Sequence, residues 1–288
     1  MARPEQRDPS NAAGDWYVDE RCIDCDTCRE TEPRVFVRSG MQSVVGHQPA
    51  DEEQERRAWL AAVACPTQSI GQQPRRAKPA GLFPDRIDGD VHALGWTSPD
   101  SYGADSYLVV RPAGNLMVDA PRYTRFLAEP IKDLGGIAHI LLSHQDDVAD
   151  AERYADQFGA QVWIHTDDRR AAPFATDLVK GNEPVTIAPG VTVIPTPGHT
   201  KGSMVFEVDH TYLFTGDSLS WSRTRQDLEA FRDVCWWSWP EQARSLERLA
   251  DLARFEWVLP GHGGRGHRPA DEMHERLVRL VERMHARA

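Results

Sequence analysis

The chain has 288 residues, and its 44 acidic against 33 basic side chains give a net charge of −11 at pH 7. A nucleic-acid partner is not expected, because such binding needs a basic face, and no apolar run approaches the roughly 18 residues that a membrane span requires. With 40% hydrophobic residues, the chain has room for two domains, one of them with a packed core of about 200 residues.

The chain opens with a polar tail, residues 1–13, that lacks the apolar segment of a secretory signal. We therefore expect a cytoplasmic protein that neither spans nor binds a membrane. In that compartment thiols stay reduced, so the cysteines are not expected to form disulfides.

Four cysteines mark the first quarter of the chain. Three of them follow the spacing C-x2-C-x2-C, and the fourth stands far downstream, directly before a proline. They are Cys22, Cys25, Cys28 and Cys65. Four thiolates can hold either an iron–sulfur cube or a zinc ion. Zinc sites usually draw two ligands from each of two short loops, so this spacing favours a 4Fe-4S cluster.

This arrangement resembles the single-cluster bacterial ferredoxins over residues 14–72. The resemblance implies a 4Fe-4S cluster held by all four cysteines. Within this domain, apolar runs and an acidic helix start predict strands at 16–18, 35–37 and 44–45 and a helix at 51–64 that ends at Cys65. Residues 73–86, rich in proline and charge, are predicted to be a linker.

Beyond the linker, apolar strands and amphipathic helices alternate. This mixture predicts an α+β fold in which helices flank sheets. The predicted strands are 106–110, 116–119, 137–142, 162–164, 191–194, 203–208, 212–214 and 257–259. The predicted helices are 123–134, 149–158, 241–252 and the segment from 270 onward.

Four of these strands end in turns that carry histidine or carboxylate side chains. In chain order the turns carry His144 with Asp146 and Asp147, then His199, then Asp217, then His262. Imidazole and carboxylate are the ligands of zinc, iron and manganese in proteins. A lone histidine at a strand end is usually an ordinary hydrogen-bonding residue, but four such turns in one chain indicate a metal site.

In order and setting, the four turns resemble the metallo-β-lactamase superfamily. The segments TPGHTKGSMVF, LFTGDSL and LPGHG are especially similar to its hydroxyacylglutathione hydrolase branch. The resemblance covers residues 87–288 and implies an αββα sandwich with a metal cleft at the edge of its two sheets. It also implies that His144, His199 and His262 bind metal and that Asp217 bridges two ions.

The first turn departs from the H-x-H-x-D-H loop of that family. Asp146 stands in place of the second histidine, Val148 in place of the aspartate and Ala149 in place of the third histidine. The first metal site would therefore keep four ligands, His144, Asp146, His199 and Asp217. The second site would lose two ligands and keep Asp217 and His262. Asp147 or Asp150 is the candidate to act as a substitute ligand or as the catalytic base.

Three functions stay open. The resemblance implies a metal-dependent hydrolase for a small ester or thioester, with one or two zinc or iron ions that activate water. Two histidines with two carboxylates also suit non-haem iron, so an oxidoreductase fed with electrons by the cluster is the alternative, as flavo-diiron and persulfide-oxidising relatives suggest. The third is a non-catalytic electron carrier or redox sensor. The expected partners are a small-molecule substrate and, if electrons are exchanged, a redox protein.

Two further groups of side chains are candidates for contact with a substrate. Trp236, Trp237 and Trp239 precede the His262 turn and could wall the cleft. Arg265 and His267 follow that turn in the run GHGGRGH, where we expect them to contact an anionic group.

Overall fold

The computed structural model describes residues 2–286. Position 1, where the predicted tail begins, and positions 287–288, where the predicted second domain ends, lie outside this range. Within residues 2–286, no helix is both long enough and apolar enough to cross a membrane.

The N-terminal part, residues 2–72, wraps two short sheets and two helices around an apolar core. Its elements are β1 (Trp16–Val18), α1 (Thr27–Thr31), β2 (Phe36–Ser39), β3 (Gln42–Val45), α2 (Glu52–Ala64) and β4 (Ile70–Gln72). Strand β1 pairs with β4 and β2 pairs with β3, both antiparallel. Cys28 and Cys65 are buried in this core beside Trp16 and Phe36, so two of the four cysteines lie where the part is most tightly packed.

Helix α2 starts and ends where its sequence dictates. The carboxylate of Asp51 accepts a hydrogen bond from the Gln54 N–H at 2.8 Å, the usual way to satisfy a free donor in the first turn. At the other end, Cys65 precedes Pro66, which cannot continue a helix because it has no N–H. The helix therefore delivers Cys65 at a fixed position.

The C-terminal part, residues 85–286, begins with a seven-stranded sheet. Its strands are β5 (Asp85–Asp88), β6 (Val91–Ala93), β7 (Tyr107–Val109), β8 (Leu116–Val118), β9 (His139–Leu141), β10 (Gln161–His165) and β11 (Asp177–Val179). They lie side by side in that order, antiparallel from β5 to β8 and parallel from β8 to β11. Helices α3 (Arg125–Asp133) and α4 (Ala151–Phe158) supply two of the connections.

A second sheet of six strands packs against the first. Its strands, in spatial order, are β12 (Val185–Ala188), β13 (Val191–Pro195), β14 (Met204–Val208), β15 (Tyr212–Gly216), β18 (Trp257–Pro260) and β19 (Gly266–His267). A separate hairpin, β16 (Ser220–Ser222) with β17 (Asp227–Glu229), follows β15. Helices α5 (Trp239–Leu252) and α6 (Ala270–His285) complete the part.

Three apolar layers hold these elements together. The middle layer lies between the sheets and includes Tyr107, Phe206 and Phe214. One outer layer joins the first sheet to α3 and α4, and the other joins the second sheet to α5 and α6. The result is a four-layer αββα sandwich, as the sequence predicted. Full burial of each large apolar side chain stabilises it by about 1.5–3 kcal/mol.

The predicted helices and strands are present, with ends within two residues of the predicted ones. The sequence did not predict α1 or several short strands, such as β5 and β17. The three elements named here are three to five residues long and carry charged side chains, so they show no apolar periodicity. Residues 73–84 form neither helix nor strand, and their extent as a linker stays a prediction.

The two parts are joined by direct contacts near the cysteines. The Thr27 hydroxyl of α1 donates to the Gly103 carbonyl at 2.9 Å. The guanidinium of Arg223, just after β16, pairs with Glu30 of α1 at 3.0 Å. Helix α1, which carries Cys28, is therefore held against the second part of the chain.

Candidate metal centre and cluster site

Strand direction brings three of the four predicted turns to one edge. Strands β13 and β15 both run antiparallel to β14, and β15 runs parallel to β18. All three therefore end at the same edge of the second sheet, and their following turns carry His199, Asp217 and His262. Strand β9 of the facing sheet ends just before His144, which joins them there.

Four side chains define a first candidate site. The Nε2 atom of His144 is 3.8 Å from Asp146 Oδ2 and 3.7 Å from Asp217 Oδ2. The Nε2 atom of His199 is 3.6 Å from each of those two oxygens. Ligands bonded at about 2.1 Å in a tetrahedral site lie about 3.4 Å apart. The four atoms are therefore spaced to surround one cation.

A second candidate site lies beside the first. The carboxylate of Asp147 is 1% exposed, and among residues 2–286 neither of its oxygens has a hydrogen-bond partner. A Cβ on Gly261 would lie 2.8 Å from Asp147 Oδ2 and 3.0 Å from Asp217 Oδ1, so this glycine makes room for both carboxylates. His262 Nδ1 is 2.9 Å from Asp217 Oδ1. Ligand atoms of Asp147 and Asp217 lie within 4.8 Å of each other and of His144, and His262 adjoins Asp217, so these side chains could hold a second ion.

The histidine nitrogens that face the first site are free to bind a metal. Within the described range, Nε2 of His144 and of His199 is buried without a hydrogen-bond partner, whereas His262 presents its Nδ1 atom to Asp217. The Ser143 hydroxyl lies 2.9 Å from His144 Nδ1, which orients that ring. Buried polar atoms without partners are unfavourable by a few kcal/mol each. Their clustering here is what a cation site requires, so the residues fit a bound metal.

Burial and mutual charge shift the pKa values of the site. Burial lowers the pKa of His144 to about 4, against an opposing effect of Asp217, so this imidazole is neutral. Burial raises the pKa of Asp147 well above its ordinary value, and Asp217 adds to that shift. Burial acts to lower the pKa of His262, but the charge of Asp217 outweighs it and raises the value to about 10. A cation would replace the proton that these groups otherwise need.

Asp168 supports the site and was not predicted from the sequence. Its carboxylate accepts hydrogen bonds from the Gln145 N–H at 3.0 Å, the Thr200 hydroxyl at 2.5 Å and the Gly202 N–H at 3.1 Å. It thereby ties the turn of His144 to the turn of His199. The sequence feature that could have identified Asp168 is its position just after strand β10, in the run HTDD.

The predicted substitute Asp150 lies apart from these groups. Its Oδ2 atom accepts a hydrogen bond from the Tyr123 N–H at 2.7 Å. Within residues 2–286 the close groups of three potential ligands are His144 with Asp146 and His199, and His144 with Asp147 and Asp217, so Asp150 belongs to neither. Val148, which replaces the family's aspartate, packs into the outer core beside α3 and α4. The structure therefore brings together Asp146 and Asp147 from this loop.

A cavity of about 1470 Å³ opens in front of the candidate ligands. Trp236 and Trp239 line it, as predicted, and the ring of Trp236 lies 6.2 Å from that of His199. Trp237 does not belong to this lining. The walls also include Asp24 and Asp26 of the cysteine loop. The N-terminal part thus forms one side of the cavity.

The expectation for Arg265 and His267 was wrong. The Arg265 guanidinium donates to Asp105 at 2.5 Å, and the His267 ring stacks on Trp257 at 4.7 Å. Neither side chain lines the cavity. Both follow Gly264, whose carbonyl accepts from Trp221, and the chain there turns back into β19, away from the metal ligands.

The four N-terminal cysteines meet the requirements of an iron–sulfur site. All are free thiols. Burial raises the pKa of Cys25 to about 11, and the nearby sulfurs of Cys65 and Cys22 act in the same direction. The Ser43 N–H points at Cys22 Sγ from 3.4 Å, and the Ser69 N–H points at Cys65 Sγ from 3.3 Å. Such backbone donors stabilise thiolates bound to iron.

Two residues of the cysteine loop adopt left-handed backbone. Asp24 has a φ of 58° and Asp26 a φ of 72°, a region that non-glycine residues enter mainly when they are aspartate or asparagine. Both lie between Cys22 and Cys28. The loop therefore winds tightly enough to direct three sulfurs inward, and the site fits a four-iron cluster.

Comparisons with known proteins match both parts of the chain. A family described as "4Fe-4S single cluster domain of Ferredoxin I" matches residues 18–72, and one described as "Metallo-beta-lactamase superfamily" matches residues 94–283. An uncharacterized protein of Mycobacterium tuberculosis is 30% identical over 159 residues, which cover 44% of this chain and 69% of that protein.

A hydroxyacylglutathione hydrolase of Cereibacter sphaeroides is 28% identical over 150 residues. The match covers 51% of this chain and 56% of the hydrolase. Among solved structures, the metallo-β-lactamase FIM-1 from Pseudomonas aeruginosa superposes with a TM-score of 0.52 at 18% identity, covering 69% of this chain and 93% of that one. A metallo-β-lactamase from Hirschia baltica gives 0.52 at 15% identity, with 68% and 96% covered. At these identities the structural matches concern the fold alone.

Proposed function

Because the chain belongs to the metallo-beta-lactamase superfamily, as its sequence predicted, and carries a 4Fe-4S ferredoxin domain, we propose that it is an oxidoreductase acting on a small molecule. The first metal ion would be held by His144, Asp146, His199 and Asp217. The second would be held by Asp147, Asp217 and His262. The cluster would be held by Cys22, Cys25, Cys28 and Cys65.

One observation carries the redox proposal: the cysteine loop and the metal ligands share a cavity. Asp24 and Asp26, between the cysteines, line the same space as Asp146 and His199. A cysteine loop that only stabilised a small N-terminal domain would have no need to border the space in front of the metal ligands. A metal hydrolase needs no electron source beside its metal. The shared cavity therefore supports electron exchange.

The ligands themselves support the same function. The two sites combine three imidazoles with three carboxylates. Sites that mix histidine and carboxylate ligands are typical of non-haem iron, so this ligand set favours iron more than an all-histidine set would. When bound, iron in such sites exchanges electrons with small molecules, and the cluster stores an electron nearby. Asp146 is 43% exposed at the cavity wall, where a substrate could reach it, whereas His144 and Asp147 are buried.

Metal exchange tests this proposal. The protein is purified anaerobically, and its iron and zinc contents are measured. The candidate metal centre in the αββα part is then loaded with Fe²⁺ or Zn²⁺. After reduction of the cluster, samples are mixed with dioxygen as the electron acceptor, and the return of cluster absorbance is followed. We expect faster reoxidation in the iron form than in the zinc form.

An Asp217→Asn variant should behave like the zinc form, while Asp209→Asn, whose exposed carboxylate pairs with Arg111, should behave like wild type. Equal rates in both metal forms would contradict the redox proposal.

Hydrolysis of a small ester or thioester is the second candidate. Asp147 favours it, because this carboxylate can replace the ligand that the family loop has lost and so keep a two-metal site. The similarity to a hydroxyacylglutathione hydrolase indicates a thioester as the probe. The test measures the rate at which zinc-loaded protein cleaves a hydroxyacylglutathione, with the cluster oxidised and with it reduced. Equal rates would support hydrolysis and would show that the cluster takes no part in catalysis.

A further inference from the structure

The loop of residues 97–105, between β6 and β7, contacts both the cysteine loop and the metal-ligand turn. We call it the bridging loop. At its tip the hydroxyl of Tyr102 donates to the carbonyl of Ile23, a residue that stands between Cys22 and Cys25. On the other side, the ring of Tyr102 lies 6.3 Å from the ring of His262. A single side chain thus contacts the surroundings of both centres.

The bridging loop is anchored on both sides of Tyr102. The Gly103 carbonyl accepts from the Thr27 hydroxyl at 2.9 Å, and a Cβ at Gly103 would lie 2.9 Å from Cys25 Sγ. Toward the metal ligands, the Asp105 N–H donates to the Gly261 carbonyl at 2.7 Å. Gly261 directly precedes His262. The loop therefore covers one cluster sulfur and fixes the backbone of one candidate metal ligand.

His262 is held between two neighbours. Its Nδ1 atom faces Asp217 at 2.9 Å, and its ring is inclined by 45° to that of Tyr102. A change in the bonding of His262 must therefore act on the Tyr102 ring. Because the Tyr102 hydroxyl is bonded to Ile23, the same change reaches the cysteine loop.

We propose that Tyr102 is a positioning residue that couples the metal site to the cluster, so that metal binding shifts the reduction potential of the cluster and cluster reduction changes the affinity for metal. The proposal rests on the proposed function only for the assignment of metal and cluster to their residues. Cluster potentials depend on hydrogen bonds and solvent access at the sulfurs. Gly103, next to Tyr102, lies against Cys25 Sγ and accepts from the Thr27 hydroxyl, whose oxygen is 3.3 Å from that sulfur. The two effects must be equal in size, because binding linkage is reciprocal.

A competing explanation needs no tyrosine. A divalent ion also acts on the cluster through space, by its charge alone, and this effect falls off with distance and screening. It would be the same whatever side chain stands at position 102. Substitution of Tyr102 therefore separates the two explanations.

The experiment measures the cluster potential of the full chain, anaerobically, with and without Zn²⁺, which is itself not redox active. Tyr102→Phe keeps the ring beside His262 and loses the bond to Ile23, while Tyr102→Leu loses both contacts. Tyr102 is 53% exposed, so neither change should unfold the protein. Tyr123→Phe, whose hydroxyl lies 3.5 Å from Gln157, is the matched control. Zinc affinity is measured in parallel by competition with a chelator, for the oxidised and the reduced cluster.

In wild type and Tyr123→Phe we expect zinc to shift the potential, and the ratio of zinc affinities between the two cluster states to match that shift. Both effects should shrink in Tyr102→Phe and be smallest in Tyr102→Leu. Equal potential shifts in all four proteins would overturn the role of Tyr102 and leave the proposed function untouched. A chain that keeps its cluster but binds no zinc would overturn the proposed function, and the coupling with it.

Discussion

The carboxylate of Asp147 lies against Gly261, at a position where a Cβ would stand only 2.8 Å from its Oδ2 atom. Asp147 comes from the loop after β9 of the first sheet, and Gly261 from the turn before His262. Their close approach places the Asp147 carboxylate beside that of Asp217, where we propose that it replaces the ligands that the loop has lost.

Gly261→Ala should therefore weaken metal binding. The added methyl group would displace the carboxylates of Asp147 and Asp217, and loss of such support typically lowers metal affinity by about 10- to 100-fold. Titration with Co²⁺, whose absorption reports coordination, measures the change. Gly181→Ala is the control: a Cβ there meets nothing within 4 Å, but its φ of +73° makes alanine strained, so this variant should lose some stability and keep the wild-type metal affinity. An unchanged affinity in Gly261→Ala would show that the carboxylates do not need this space.

Asp147→Asn should remove the second metal ion and keep the first. The amide has the shape of the carboxylate but lacks the charge, while the four ligands of the first site stay unchanged. Elemental analysis of the loaded protein should then find half the metal of wild type outside the cluster. Asp150→Asn is the matched control from the same loop and should keep the wild-type content. The opposite pattern would assign the second site to Asp150.

The same Asp147→Asn variant should change the pH dependence of stability in the metal-free protein. Burial raises the pKa of Asp147 in the folded state, so the folded chain binds this proton more tightly than the unfolded chain. The carboxyl therefore destabilises wild type increasingly as pH rises above about 4, by at most about 1.4 kcal/mol per pH unit. Denaturant unfolding across pH 4 to 7 should show Asp147→Asn gaining stability relative to wild type. A constant difference between the two proteins would contradict the raised pKa.

Asp168→Ala should destabilise the fold and weaken the metal site together. Its removal leaves three donors without their acceptor, two of them buried, at a cost of roughly 2 kcal/mol or more, and frees the His144 turn from the His199 turn. Thermal unfolding and zinc affinity report the two effects. The neighbouring Asp167 pairs with Lys201 at the surface, so Asp167→Ala should alter neither. Asp168 has no positioning role if zinc affinity survives its loss.

Cys65→Ser should abolish the four-iron cluster, whereas Cys235→Ser should keep it. Cys65 is buried at the end of α2 with a backbone N–H directed at its sulfur. Cys235 instead donates to the Gly198 carbonyl at 3.2 Å, on the far side of the cavity. Iron and sulfide analysis with electron paramagnetic resonance of the reduced proteins distinguishes the two. Cluster loss in Cys235→Ser alone would reverse the ligand assignment.

Much of this protein could be predicted from local sequence. The spacing of Cys22, Cys25 and Cys28 and the proline after Cys65 predicted the ferredoxin domain, and histidine or aspartate after four apolar strands predicted the second family; both are confirmed. These signals can be recognised in the sequence because the candidate ligands directly follow strands, and the strands appear as apolar runs. The short polar strands were missed, since neighbouring strands rather than their own residues stabilise them.

Only the tertiary structure decided which carboxylates of the altered loop face the metal site. Residues Gln145–Asp147 form one turn of 3₁₀ helix, in which successive side chains diverge by about 120°. Val148 is buried in the outer core, and this burial sets the rotation of the turn. Asp146 consequently faces the cavity and Asp147 the second site, while Asp150 is directed to the Tyr123 backbone. The contacts of Asp168 and Tyr102 were likewise beyond sequence reasoning, because they join segments that are distant in the chain and become neighbours only through packing.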